Sequence, residues 1–283
     1  MKLATLLTIG LLASAQSLSA QAPGTVGASG GLNFDSPLVA ENFHGLSPRH
    51  TLAASLLPDR VAVETDPARV RSGQTSIRLQ VQPGDCGRAI NGGAPDDCAS
   101  GNERVELNTG DTSGLTVYAF SLMLDGDFRN INRAAPTAYL VQWFQQEAGA
   151  CFGVQYSGSA DRMVIRNRCV GGSFASGTVT DTELRIQPFG AWHEYVVLAN
   201  WSKDADGLFR VMVDNQLAYS FQGPTLAAEG VDQVSQRFMV NRQNGLRQTI
   251  GTTTMWLDDV VTSNNLEAIE QVYAVDRTSL GVQ

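Results

Sequence analysis

The chain has 283 residues, 43% of them hydrophobic and 17% charged, with a formal net charge of −8. That length suits one large all-β domain or two small ones, and the composition is that of a globular core under a mildly polar surface. The negative balance opposes nucleic acid and other polyanions through the overall field, so an acidic ligand would have to be met by a local basic groove.

In chain order, residues 1–22 read as a secretory signal. Lys2 supplies the positive start, 3–15 the apolar core, and Ser19, Ala20 and Ala22 small residues for cleavage, with Pro23 disfavouring a cut directly after Ala22. The apolar run is too short and interrupted for a membrane span, and no second one follows. The mature protein is expected to be soluble, exported to a periplasm or beyond, and without a membrane partner. Residues 23–31 form a flexible Gly-rich lead-in, and 32–283 a single domain without repeats, expected to be a monomer.

Strands are predicted at 32–35, 60–64, 75–81, 103–107, 116–124 and 137–146, with a loop over 125–136. The segment 151–169, CFGVQYSGSADRMVIRNRC, reads as a hairpin symmetric about Ala160, which sets Cys151 opposite Cys169 within bridging reach. Cys86 and Cys98 are left to pair by elimination, and export favours disulfides over free thiols or zinc. A meander follows: strands at 194–201, 208–213 and 217–221 joined by Asp- and Gly-bearing turns and closed by Pro224. Further strands at 237–241 and 253–262 and short helices at 225–230 and 266–273 complete the set. About a dozen strands with little helix predict an all-β, two-sheet antiparallel β-sandwich.

Several residues of the meander carry more than a fold class. Trp192-His193, a strand ending in Trp201-Ser202, the acidic turn 203–207, Val211-x-Val213-Asp214-Asn215 and Gly223-Pro224-Thr225 together resemble the heparin-lyase-I-like polysaccharide lyases. That group includes glucuronan lyases and is related in fold to the jelly-roll alginate lyases. The resemblance spans about 32–261 and implies a concanavalin-like β-jelly roll acting on an acidic polysaccharide by β-elimination.

Candidate site residues follow from strand periodicity and from this resemblance. Arg104 and Glu106 share one face of a strand, where a carboxylate can pre-align a guanidinium for a sugar carboxylate; an ordinary salt bridge is the plainer reading. Arg-x-Glu-Leu (Arg104 to Leu107) resembles the lyase strand bearing a substrate-binding arginine. Val141 and Trp143 are expected to face one way and Leu140, Gln142 and Phe144 the other. The related lyases read Gln-x-His here. Gln142 matches, but Phe144 stands where a proton-transferring histidine is expected. The strand that usually supplies a catalytic tyrosine corresponds best to 237–243, which has none, although Arg237 and Arg242 could contact an anionic sugar.

The hairpin offers a substitute base. Its symmetry puts Tyr156 on one face with Arg166 and Arg168, a patch that could stack a sugar and bind its carboxylate, or be merely solvated. His44 and His50 are alternative bases, and His193, at a strand start, reads as architectural. The resulting catalytic set is Arg104, Gln142, Tyr156 and His44, with Glu106, Arg166, Arg168 and Arg237 binding substrate. No cofactor is required, and no metal site is assigned, although Asn33, Asp35, Asp258 and Asp259 could supply oxygens to a structural calcium. A non-catalytic carbohydrate-binding protein that lost the proton-transfer pair is the alternative from a different class, and a module for neutral glycans a further one.

Overall fold

The computed structural model describes residues 47–48, 57–86, 97–133, 137–170, 173, 178–243 and 251–282. The predicted signal, lead-in and first strand, and His44 and His50, lie outside the described residues.

Among the described residues, two seven-stranded antiparallel sheets face each other. The front sheet holds β1 (Ser47–Pro48), β4 (Asn102–Thr112), β13 (Val234–Gln243), β6 (Thr137–Gln145), β7 (Gly149–Ser157), β8 (Arg162–Val170) and β9 (Thr178–Leu184), in that order. The back sheet runs β12 (Gln216–Gln222), β11 (Leu208–Val213), β10 (His193–Trp201), β5 (Gly114–Leu124), β14 (Thr253–Ser263), β3 (Ser76–Val81) and β2 (Val61–Glu64). Short helices α1 (Leu57–Arg60), α2 (Asp97–Ser100), α3 (Leu266–Glu270) and α4 (Arg277–Leu280) decorate the ends. The chain is thus the two-sheet jelly roll that the strand pattern and the resemblance predict.

Period-two alternation builds the core. Val105 and Leu107 of β4, Val141 and Trp143 of β6, and Phe152 and Val154 of β7 point inward against Tyr118, Phe120, Trp201 and Phe209 of the back sheet. Phe152 and Phe209 stack across the sandwich at 4.0 Å between ring centres, and Phe120 stacks on Tyr195 at 5.0 Å. The Trp201 indole donates to the Tyr118 hydroxyl at 2.8 Å, which gives both buried polar tips a partner.

Local chemistry fixes the meander. Asp214 and Asn215 both take left-handed backbone (φ 50° and 59°), the two-residue turn whose twist suits a hairpin and which Asx residues tolerate. At its other end Gly207 receives Gly223 so closely that a Cβ would lie 2.2 Å from the Gly223 carbonyl oxygen.

Two expectations are corrected, and one strand was not foreseen. Residues 225–230 form turns rather than a helix, because the Gln145 amide takes their backbone: its nitrogen donates to the Ala227 and Val231 carbonyls and its oxygen accepts from Ala227 N–H. Strand β9 lies at an edge with mostly exposed residues, so it carries no hydrophobic alternation to betray it. Leu140 faces the core rather than sharing a face with Gln142, because β6 is irregular there: Tyr139 and Val141 are paired to Gln155 and Val154 of β7 with Leu140 left over.

Candidate functional site

The outward face of the front sheet concentrates the polar side chains singled out from the sequence. Cross-strand pairing puts Asn108, Arg237, Gln142, Gly153, Arg166 and Asp181 in one row over β4, β13, β6, β7, β8 and β9. At strand spacing this row is about 24 Å long. A second row carries Arg104, Asn241, Tyr139, Gln155, Val164 and Glu183 across the same strands. The irregularity at Leu140 is what lets Tyr139 and Gln142, three residues apart on one strand, both face outward.

The middle of the first row is a notch. Gly153 has no side chain; a Cβ there would meet the Val141 carbonyl oxygen at 2.9 Å, Gln142 Cγ at 3.7 Å and Gln155 Nε2 at 3.9 Å. Two amide side chains therefore border the gap. Gln142 is half-buried, and its amide has no hydrogen-bond partner among the described residues. Gln155 is 1% exposed and its Oε1 also lacks a partner.

Cations stand on both sides of this notch. Arg166 is held by both oxygens of Asp181 at 2.8 and 2.7 Å; that hydrogen bond raises its pKa against partial burial, and the Tyr139 phenol adds to the rise. Arg237 is nearly buried, its guanidinium 3.3 Å from the centre of the Phe144 ring and its Nε 3.5 Å from Glu106. Phe144, which cannot transfer a proton, thus serves as the platform on which a cation beside Gln142 rests.

Arg104 and Gln142 project from the same face, but Arg104 is committed to protein carboxylates. Its Nε donates to Asp97 at 3.0 Å, its Nη2 to the other Asp97 oxygen, and its Nη1 contacts Glu106 at 3.4 Å. Burial disfavours the charge, yet the Asp97 hydrogen bond and the Glu106 and Asp97 charges raise its pKa overall. Asp97 comes from α2, next to the Cys86–Cys98 bridge. Glu106 lies between Arg104 and Arg237 and touches both.

The hairpin differs from its predicted symmetry by one residue, and this reverses its faces. Ser157 pairs with Arg162 and Gly153 with Arg166, so the turn centres between Ser159 and Ala160. The Cys151–Cys169 bridge still forms, beside irregularities in both flanking ladders. Tyr156 consequently points into the core with Phe152 and Val154, away from Arg166, and is 0% exposed. Its hydroxyl donates to Asp161 at 2.6 Å, and burial, with that hydrogen bond and charge, pushes its pKa upward. It cannot serve as a surface base. Arg168 is half-buried on the outward side of buried Asn167 and Cys169.

Arg242 also turns inward, donating to Glu103 at 2.8 Å and to Thr253 Oγ1 at 3.0 Å of the back sheet. His193 stands on β10, its ring between Asp214 and the Gln187 carbonyl, an architectural placement. Asp258 accepts from the Arg71 and Ser72 amides, and Asp259 from the Arg71 guanidinium and Ser72 hydroxyl. Those oxygens are already engaged by donors, while Asn33 and Asp35 lie outside the described residues. No group of three or more His, Cys, Asp or Glu side chains converges among the described residues.

Sequence reasoning missed Tyr139, Gln155, Asn241 and the role of Gly153. All sit on strands it identified. What hid them was register, which the composition of a single strand does not specify.

Comparison with known proteins covers most of the chain. A family model described as polysaccharide lyase matches residues 40–261. The solved structure of an endo-β-1,4-glucuronan lyase from the fungus Trichoderma reesei superposes with a TM-score of 0.51 at 15% identity, covering 73% of this chain and 87% of that one. Alginate lyase A1-II′, a member of polysaccharide lyase family 7, gives 0.52 at 11% identity over 77% of this chain and 94% of its own. A complex of a family 7 alginate lyase A1-II′ variant with product gives 0.53 at 12% identity. The search of curated proteins finds no match.

Proposed function

Because the chain belongs to the polysaccharide lyase family, we propose that it is an exported lyase that cleaves a uronate-containing polysaccharide by β-elimination at the Gly153 notch. The observation that carries this reading is the notch itself: a gap bordered by the unpartnered Gln142 amide, with Arg166 next in the row on one side and Arg237 behind Gln142 on the other.

The chemistry follows from what such an elimination needs. The proton at C5 of a uronate is removable only when the neighbouring carboxylate is neutralised and the developing enolate stabilised. The Gln142 amide donates to a carboxylate seated over Gly153. Arg166 and Arg237 supply fixed positive charge, Arg237 locked in place by Phe144 and Glu106 so that it need not reorganise during reaction. Arg104, clamped by Asp97, holds Glu106 and through it Arg237, which makes it a positioning residue. Arg168 extends the basic strip along β8. The row across six strands suits a polymer better than a monosaccharide.

The N-terminal signal-like segment and the two cystines support export to an oxidising compartment. The glucuronan and alginate lyases of like fold support an acidic polymer as substrate, and no redox cofactor enters the reaction.

Phe144 at the place of the expected histidine favours a second reading, a carbohydrate-binding protein without catalysis. Incubation with glucuronan, alginate and glycosaminoglycans, read by ultraviolet absorbance of 4,5-unsaturated uronate ends, separates the two. The lyase reading expects absorbance growth on at least one acidic polymer and none on neutral glycans. Retention on acidic polymer with flat absorbance would establish the binding protein instead.

A further inference from the structure

We propose that Tyr139 is the single proton-transfer residue of this face, and that the enzyme therefore acts on uronates whose C5–H and C4–O bonds lie on the same side of the ring. The inference rests on the lyase reading above and adds to it a residue and a stereochemical class of substrate.

Four observations on position and surroundings single out Tyr139. It projects outward in the row adjoining the notch, next to Gln155, which borders Gly153. It is partly exposed, whereas Tyr118, Tyr156 and Tyr195 are sealed in the core. Its phenol interacts with Arg166, the cation on the far side of the notch. Finally, it is bracketed in register by two buried amides with unpartnered oxygens: Asn241 on β13, 9% exposed, and Gln155 on β7, 1% exposed. Orphaned acceptors at this burial are uncommon unless a donor arrives from outside, and sugar hydroxyls are such donors. Among the described residues no histidine lies on this face.

The step balances without a co-reactant. The Tyr139 phenolate oxygen takes the C5 proton; the C5–H electron pair becomes the C4=C5 double bond; the C4–O bond breaks with its pair passing to the departing sugar oxygen. The phenol just formed then gives that oxygen its proton, and the phenolate is regenerated. One group can do both only when the proton and the leaving oxygen are on the same side of the ring. Glucuronate and mannuronate polymers meet this condition. Guluronate, the C5 epimer of mannuronate, does not.

The test compares wild type and Tyr139→Phe on glucuronan, polymannuronate and polyguluronate, recording kcat, KM and thermal melting. Expected are unsaturated ends from glucuronan or polymannuronate, a rate on polyguluronate at least ~10²-fold lower, and a kcat at least ~10²-fold lower for Tyr139→Phe with KM and melting temperature unchanged. Tyr139→Phe within about threefold of wild type in kcat would overturn the assignment while leaving the lyase reading intact. Equal rates on polymannuronate and polyguluronate would overturn the one-residue shuttle. A wild type that forms no unsaturated ends on any polymer would remove both.

Discussion

Arg104 shows how far a residue's identity can be separated from its use. Arg-x-Glu on a strand places two side chains on one face, and that much follows from periodicity; that Asp97 reaches over from α2 to occupy the guanidinium does not, because the contact depends on a loop closed by a disulfide. We expect Arg104→Ala to act mainly on stability, leaving Asp97 buried without its cation at a cost of about 3–5 kcal/mol, readable as a lower melting temperature. Gln142→Ala should do the opposite. Its amide has no partner to abandon, so melting should not move while kcat/KM on acidic polymer falls by roughly 10²-fold, the loss typical of one donor at a developing oxyanion. Asp258, on the back sheet, should titrate unusually high. Burial, then the Asp259 charge, raise its pKa to about 6 against the backbone donors that lower it. Because the folded-state value lies above the unfolded one, the neutral form is the one folding favours: this group's contribution is fullest below about 4 and is lost as pH rises through about 6. Carboxyl carbon NMR across pH 4–8 would show a midpoint near 6, and an ordinary midpoint near 4 would contradict the environment described.

At the scale of elements, the strands of the meander and most of the front sheet were legible because alternation and turn chemistry are local properties. Register was not. The hairpin of β7 and β8 has a sequence symmetric about Ala160, yet it folds about the bond before it, and that half-step exchanges a surface tyrosine for a buried one. The irregularity at Leu140 has the converse effect, bringing Tyr139 to the outward face against simple alternation. Two predictions belong here. Replacing both Cys151 and Cys169 by serine should destabilise the protein by about 3 kcal/mol, as for other loops of this size, seen as a drop in melting temperature that reducing agent does not deepen for that bridge. The segment bearing α3 and α4 lies beyond the family match and seats Leu266, Ile269, Tyr273 and Leu280 on Val117, Ala119, Val196, Leu198 and Met212 of the back sheet. Ile269→Ala should therefore cost about 2–5 kcal/mol without altering KM, since the cavity opens on the side of the sandwich away from the notch.

For the whole molecule, one sheet face carries the proposed site and the other is plated by the C-terminal segment, with an aromatic core holding the two apart. The formal charge of −8 sets the long-range field against the acidic polymer proposed as substrate. Screening should relieve that repulsion more than it weakens contacts at the partly buried arginines. KM for a long polyuronate is therefore expected to fall as ionic strength rises from about 10 to about 100 mM, where the screening length shrinks to about 10 Å. A KM that climbs steadily over this range would mean that attraction dominates from the start. If an acidic sugar lies along the Asn108–Asp181 row with its carboxylate over Gly153, a crystal structure of Tyr139→Phe with a uronate hexasaccharide will reveal it there. A carboxylate is expected within hydrogen-bonding distance of the Gln142 amide, with C5 of that sugar turned toward the ring at position 139. An oligosaccharide bound on the back sheet, or one crossing the front sheet with Gly153 uncovered, would contradict it.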